Sequence, residues 1–362
     1  VTDADRRFMG QALALGRRGL GRTWPNPAVG CVIVRDGRVI ARARTTDGGR
    51  PHAETAALAQ CDPRGATAYV TLEPCAHVGE TPACAAELAR AGVARVVIGT
   101  GDPDPRTSGR GIAMLREAGV EVETACREAE ARADLAGFLT RVTKGRPRVT
   151  LKLAASLDGR IATASGESRW ITAAPARQLV HAWRARSDAV LVGGGTARAD
   201  DPSLTVRGWH HDRQPVRVVF SRMLDLPHPS ALSTTISQAP LWLCHGPDAP
   251  DEVRSLWAGA GATLIETAVT GGQLDPGPAL QALGRAGLTS VFCEGGGSLA
   301  AALLDADLVD ELICFTAGLA IGAEGTPMLG AMGISRLADA PCFALGESRP
   351  IGPDVLHRWT RS

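Results

Sequence analysis

The feature that most constrains the fold is the break at Lys144-Gly145-Arg146-Pro147. A helix-like stretch, Arg127–Thr140, runs up to it. Helices seldom pass through an Arg-Pro step, because the residue before proline is pushed out of helical backbone. Beyond the break, the strand–helix pattern starts afresh at Val149–Ala154. Two domains are therefore expected, 1–146 and 147–362. Length agrees: the chain has 362 residues, whereas a single core stops growing at roughly 250–300.

Both halves read as α/β. In the first, Phe8, Ala12 and Leu15 sit at helical spacing within Asp3–Arg18, with Gly19 as the stop. Gly30–Val34 and Val39–Ala43 are apolar runs joined by Asp36-Gly37, a hairpin turn. Helices are expected at Ala53–Cys61, Pro82–Ala91 and Arg110–Ala118, and strands at Thr67–Leu72, Arg95–Thr100 and Val120–Glu123. That alternation predicts a sheet with helices on both faces. In the second half, strands follow at Asp188–Val192, Val216–Ser221, Leu241–Cys244, Ser290–Glu294 and Glu311–Thr316. Helices are expected at Pro175–Arg186, Asp251–Ala258 and Ser298–Asp305, and a Pro/Ser-rich loop at Leu226–Pro240.

Charge excludes several partners. A net charge of +1, from 39 basic and 38 acidic residues, makes no global field for nucleic acid or anionic lipid. No apolar run approaches the ~18 residues that span a bilayer. The first residues, with Asp3, Asp5, Arg6 and Arg7, do not resemble a signal peptide. A cytoplasmic protein is expected. Of its nine cysteines, Cys31, Cys244, Cys293 and Cys314 lie in apolar runs and read as core. Cys75 and Cys84 instead lie in a polar, Pro-rich stretch.

Those two cysteines join a chemical pattern. His52-Ala53-Glu54 opens an expected helix, Pro74-Cys75 follows a strand, and Cys84 opens the next helix. One His and two Cys make an open zinc site with a fourth position for water, and helix N-termini favour a thiolate there. Zinc lowers the pKa of its water towards ~7. Glu54 is placed to carry a proton from that water to a leaving amine, as in the zinc nucleobase deaminases. A closed structural site would need a fourth ligand, for which His77 is the nearby candidate.

The second half carries a weaker signal. Glu294-Gly295-Gly296-Gly297-Ser298 follows a strand and precedes an apolar helix, so backbone N–H groups there can meet a pyrophosphate. Gly193-Gly194-Gly195-Thr196 also follows a strand and offers a second close approach. No G-x-G-x-x-G opens a βαβ unit, which argues against an ordinary Rossmann domain. Lys152, one of only two lysines, lies on the first strand. It reads either as a group that polarises a carbonyl or binds phosphate, or as an edge-protecting charge.

The segments PNPAVGCVIV, RPHAETAAL, GATAYVTLEPCAH and GVARVV, then LKLAASLDGRIATASGESRWIT, GGGTARADDPSLTVR and EGGGSLAAALL, run through nearly the whole chain in order. They resemble the bifunctional riboflavin-biosynthesis enzymes that join a pyrimidine deaminase to a pyrimidine reductase. The resemblance implies a cytidine-deaminase-like domain followed by a dihydrofolate-reductase-like domain. It implies deamination of 2,5-diamino-6-ribosylamino-4(3H)-pyrimidinone 5′-phosphate, then reduction of the product's ribosyl group to ribityl with NADPH. Small phosphorylated pyrimidines would be the partners, and the chain would form a homo-oligomer.

By position, the resemblance makes His52, Cys75 and Cys84 the Zn2+ ligands and Glu54 the proton shuttle. It places Asn26 and His77 against the deaminase substrate. Ala154, Trp170, Thr172, Thr196, Asp200 and Ser221 fall towards NADPH. Ser168, Arg184, Leu204, Arg207 and Glu294 fall towards the reductase substrate, where Arg184 and Arg207 can fork onto a phosphate. Arg222 is the candidate for the cofactor's 2′-phosphate. Two positions depart from the family: Thr45, where many members have His, and Glu80, where a cation is usual near the substrate phosphate. They open an alternative, a weakened or decayed deaminase on a chain acting mainly as the reductase. A third reading, an adenosine deaminase acting on RNA, shares the HAE…PC pattern but leaves the second half unexplained.

Overall fold

The computed structural model describes residues 1–77, 82–209 and 213–361. It contains two compact units, Val1–Arg146 and Pro147–Ser362.

The first unit is a five-stranded sheet between two helical layers. Helix α1 (Asp3–Arg17) leads to the hairpin β1 (Gly30–Arg35) and β2 (Arg38–Arg44). Asp36 and Gly37 turn it with positive φ at both positions. Then come α2 (Ala53–Leu58), β3 (Thr67–Leu72), α3 (Cys84–Arg90), β4 (Arg95–Thr100), α4 (Arg110–Glu117), β5 (Glu121–Glu123), α5 (Glu128–Asp134) and α6 (Ala136–Lys144). The strand order is β2-β1-β3-β4-β5, with β1 antiparallel to β2 and β3, and β3, β4 and β5 parallel.

Alternating side chains split the unit into two cores. Val32, Val34, Tyr69 and Val97 meet Phe8, Met9 and Leu13 of α1 on one face. Cys31, Ile33, Val70, Val96 and Ile98 meet residues of α2, α3 and α4 on the other. With both faces covered, the strands read as continuous apolar runs.

The same division explains a departure from expectation. The helix expected over Arg127–Thr140 is two helices, broken at Leu135. Ala131 packs into the α1-side core, whereas Leu135, Phe138 and Leu139 pack into the opposite one. A straight helix could not serve both.

The second unit is built on β6 (Arg148–Ser156), the short β7 (Arg160–Ala162), α7 (Ala174–Ala185), β8 (Ala189–Gly193), α8 (Gly194–Asp200) and β9 (Val216–Phe220). It continues with α9 (Ala231–Thr234), β10 (Leu241–His245), α10 (Asp251–Gly259), β11 (Thr263–Glu266), β12 (Val269–Thr270), β13 (Gln273–Leu274) and α11 (Pro276–Arg285). The last elements are β14 (Ser290–Gly295), α12 (Gly297–Asp305), β15 (Glu311–Ala317), β16 (Thr326–Pro327), β17 (Phe343–Ile351) and β18 (Asp354–Arg361). Nine strands form one sheet in the order β11-β10-β9-β8-β14-β6-β15-β18-β17. All are parallel as far as β15, and the β17–β18 hairpin closes the sheet antiparallel.

Several elements here went unread in the sequence, among them α11, β11 and the following three. Helix α8 starts inside the glycine run Gly193–Gly195, which looked like loop. The Leu226–Pro240 stretch holds a short capped helix, with Ser230 and Ser233 capping each other. The β17–β18 hairpin is mostly solvent-facing and carries little apolar periodicity. One of the two readings of Lys152 falls. Lys152 does not protect an edge: β6 lies inside the sheet, paired with β14 and β15.

Candidate active sites

In the first unit the HAE and PC segments meet. His52 is the N-cap of α2, in extended backbone, and Cys84 is the first residue of α3. Cys75 follows β3, and its Sγ accepts the Cys84 backbone N–H at 3.3 Å. His52 Nδ1 lies 3.3 Å from Cys84 Sγ and 3.8 Å from Cys75 Sγ. A tetrahedral ion with bonds of about 2.0–2.3 Å spaces its ligands by roughly 3.5–3.8 Å. The donor set therefore fits zinc. A hydrogen bond with Cys84 outweighs burial and, together with His52, brings the Cys75 thiol down to about 4, so a thiolate is already favoured. His77 does not join the cluster, and its Nδ1 meets Thr107 Oγ1 at 3.3 Å instead.

Glu54 is buried beside these ligands. Burial pushes its carboxyl up to about 7, against the pull of the His52 imidazole. The surrounding pocket is lined by Asn26, Thr45, Arg50, His77, Asp102, Arg106 and Phe138 among others. Asn26 Nδ2 donates to Gly49 O at 3.1 Å. Thr45 turns its hydroxyl to the backbone, donating to Pro27 O at 2.9 Å and accepting from Val29 N at 3.0 Å. Its single O–H donor is thereby taken by the backbone. Glu80 lies outside the described residues.

The sequence reading missed Glu73. Its buried carboxylate accepts backbone N–H groups from Asp102 (3.3 Å), Gly109 (3.2 Å), Gly111 (3.1 Å) and Ile112 (3.3 Å). It thereby caps α4 and ties the Pro74-Cys75 turn to the loop that carries Asp102, Asp104 and Arg106 into the pocket. Phe138 of α6 also went unnoticed, because an aromatic on a helix reads as core.

In the second unit, β6, β8 and β14 bring the expected residues to one end of the sheet. Lys152 lies among Glu294, Arg184 and Asp200, and burial pushes its ammonium pKa down against the pull of Glu294. Arg184 forks onto Glu294, with Nε to Oε1 at 2.5 Å and Nη2 to Oε2 at 2.9 Å, while Nη1 donates to Thr205 O at 2.9 Å. That corrects the expectation of a phosphate fork: the guanidinium already holds a buried carboxylate. Arg207 remains exposed.

The two glycine turns face each other. Thr196 Oγ1 donates to Gly295 O at 3.1 Å, and a Cβ on Gly296, whose φ is +84°, would come within 2.7 Å of that hydroxyl. A dinucleotide fits such a crevice at the carboxyl ends of parallel strands. Gly297 is small for another reason, since its Cβ position is taken by Pro327 O at 3.0 Å. Ser298, at the start of α12, is exposed. Ser221 Oγ donates to Asp225 Oδ1 at 3.0 Å, beside Gly194.

Trp170 is 66% exposed, so it is no core residue; the Arg177 guanidinium lies 4.6 Å from its ring. Arg177 also donates to Thr172 O, and Arg169 to Asp200 O, which draws the Ser168–Thr172 segment towards Asp200. Ala154 packs beside Trp183 and Phe315. Leu204 departs from expectation. Its backbone is left-handed and the residue is buried in the core with Val190 and Leu241.

Residues 2–100 match the cytidine and deoxycytidylate deaminase zinc-binding region, and residues 147–357 match the RibD C-terminal domain. The riboflavin biosynthesis protein RibD of Escherichia coli (strain K12) is 41% identical over 377 aligned residues, covering 98% of each chain. The chain belongs to the RibD family. Among solved structures, RibD of Acinetobacter baumannii is similar with a TM-score of 0.88 and 38% identity, each chain covered to 99%. The deaminase/reductase of Thermotoga maritima gives 0.87 and 34%, again over 99% of both chains.

As a RibD-family chain it is a bifunctional deaminase and reductase of riboflavin biosynthesis, with a zinc-binding first domain and an NADPH-dependent second. The RNA-deaminase reading falls, because a reductase domain fills the second half. A decayed deaminase finds no support. Among the described residues, no helix is long and apolar enough to cross a membrane.

Proposed function

We propose that the first unit hydrolyses 2,5-diamino-6-ribosylamino-4(3H)-pyrimidinone 5′-phosphate to its deaminated product and ammonia, and that the second reduces that product's ribosyl group with NADPH. The observation that carries the first half is the buried Glu54 carboxyl beside three metal-ligating side chains. His52, Cys75 and Cys84 would hold a zinc ion, which when bound would supply Lewis acidity to water. Glu54 takes a proton from the attacking water and gives it to the amine that leaves as the new C–O bond forms. A carboxyl poised near neutrality suits both transfers. Asn26 and His77, each oriented by a hydrogen bond, contact the pyrimidine.

In the second unit, the Thr196 and Gly295–Gly296 turns would hold NADPH, which when bound would supply a hydride. Trp170, Thr172, Asp200, Ser221 and Ser298 border the same crevice in this reading, and Arg222 meets the 2′-phosphate. Lys152 polarises the ribose carbonyl. Arg184 holds Glu294 in place, and Ser168 and Arg207, next to the buried Leu204, engage the substrate, with Arg207 on its phosphate. The thiols of Cys75 and Cys84 suit a reducing cytoplasm, and a homo-oligomer belongs to the same reading.

The test supplies the diaminopyrimidine phosphate to the full chain and follows ammonia and NADPH separately. Glu54→Gln keeps zinc but loses deamination by at least ~10²-fold, while NADPH oxidation with pre-deaminated substrate is unchanged. Deamination retained by that variant overturns the assignment.

A further inference from the structure

Helix α7 grips a neighbouring strip of chain at three successive positions. Gln178 O accepts from Trp209 Nε1 at 3.4 Å, His181 Nδ1 accepts from the Arg207 backbone N–H at 3.2 Å, and Arg184 Nη1 donates to Thr205 O at 2.9 Å. The helix residues are three apart, which keeps them on one face; their partners are two apart. Ala176, Val180 and Trp183 fix the helix on the sheet against Phe292, Ile313 and Phe315. Between the grips, the Gln214 side chain bonds both backbone groups of Val206, at 2.7 and 3.3 Å. Thr205–Arg207 is thus tied to α7 and to Gln214 by these bonds.

We propose that His181 is a positioning residue of the reductase, keeping Arg207 over the substrate phosphate by accepting its backbone N–H on an unprotonated ring. The inference rests on the reading above that Arg207 binds substrate. A neutral imidazole has one acceptor nitrogen, whereas the imidazolium has none. Protonation would set an N–H against the Arg207 N–H and add a cation beside two others. Among the described residues, the charged groups facing the ring are Arg184 on its own helix, Arg207 on the strip and Glu294 on β14. Burial, then Arg184 and Arg207, hold the His181 pKa below its ordinary value against the pull of Glu294 and of the Thr205 backbone. The ring is thus neutral at pH 7, and acid loosens the strip at Arg207 while Arg184 and Gln214 still hold Thr205 and Val206. Lys152 and the glycine turns stand on other elements, so the effect falls on KM and spares kcat.

The experiment follows NADPH oxidation by the full chain with 5-amino-6-(5-phosphoribosylamino)uracil from pH 5 to 8, for the wild type, His181→Gln and His181→Leu. The substrate phosphate titrates near pH ~6, equally for all three. The expected wild-type KM rises in acid beyond that common change. His181→Gln, whose amide oxygen accepts at any pH, keeps the pH 8 KM within about twofold and loses the extra rise. His181→Leu raises KM about three- to tenfold at every pH, with kcat unchanged. Coincident pH profiles for the wild type and His181→Gln overturn the inference, even if the leucine variant does not fold. No turnover by the wild type at pH 8 overturns the reductase reading itself, and the inference with it.

Discussion

Arg184 and Glu294, 110 residues apart, meet in a two-pronged ion pair almost out of contact with water, each side chain only 11% exposed. Removing one partner of such a pair leaves a buried charge alone, at a cost of about 3–5 kcal/mol. Arg184→Ala should lower the melting temperature of the second unit and abolish NADPH oxidation, with ammonia release intact. Calorimetry and the two separate assays check this. An unchanged melting temperature would show the pair to be solvated.

Metal content follows from the donor geometry. The purified chain should carry about one zinc per molecule, and Cys75→Ser should lose it. Because zinc binds the folded ligand set, chelation should lower the stability of the first unit as well as stop ammonia release. Elemental analysis and thermal melts with and without chelator decide it; a zinc content near zero from chelator-free preparations would refute the site.

Acid should unfold the first unit through Asp5. Arg95 holds the Asp5 carboxyl well below the usual carboxylate range, with Tyr69 and Thr2 adding hydrogen bonds. A depressed acid contributes stability above its unfolded pKa of ~3.9 and loses it as pH falls through the folded value. Asp5→Asn should therefore cost about 1–3 kcal/mol at pH 7 and flatten the stability curve below pH ~4. Urea unfolding at pH 7 and pH 3 measures both; equal losses at the two pH values would contradict it.

The family resemblance implies a cation at the position of Glu80, and a carboxylate near the substrate phosphate would repel it. Glu80→Lys should lower the deaminase KM five- to thirtyfold, equivalent to about 1–2 kcal/mol, with kcat little changed. Added salt should shrink the gain. Steady-state ammonia release at two salt concentrations tests this, and an unaltered KM would mean that the carboxylate faces away.

Much of the deaminase site was legible because a metal demands particular residue types at particular places. His52, Glu54, Cys75 and Cys84 announce themselves in sequence, and the apolar runs of β1, β3 and β4 fix the frame that presents them. Glu73 did not, since its four partners are main-chain groups nearly thirty or more residues downstream. Arg184 was recognisable as a site residue, yet its role was misread because its carboxylate lies on β14, far along the chain. Leu204 escaped for a local reason: it is buried on a left-handed backbone, and a leucine gives no warning of that. Lys152 required the strand order, which no single strand reveals.

The capture of four peptide N–H groups by Glu73 has a thermodynamic corollary. One carboxylate joins the turn that bears Cys75 to the opposite wall of the pocket, so neither can be reshaped without disturbing the other. A ligand that favours the tied arrangement must strengthen metal retention by the same factor by which the metal strengthens its own binding. Substrate analogues should then slow the escape of zinc to a chelator, and Glu73→Gln should uncouple the two without removing a single ligand atom.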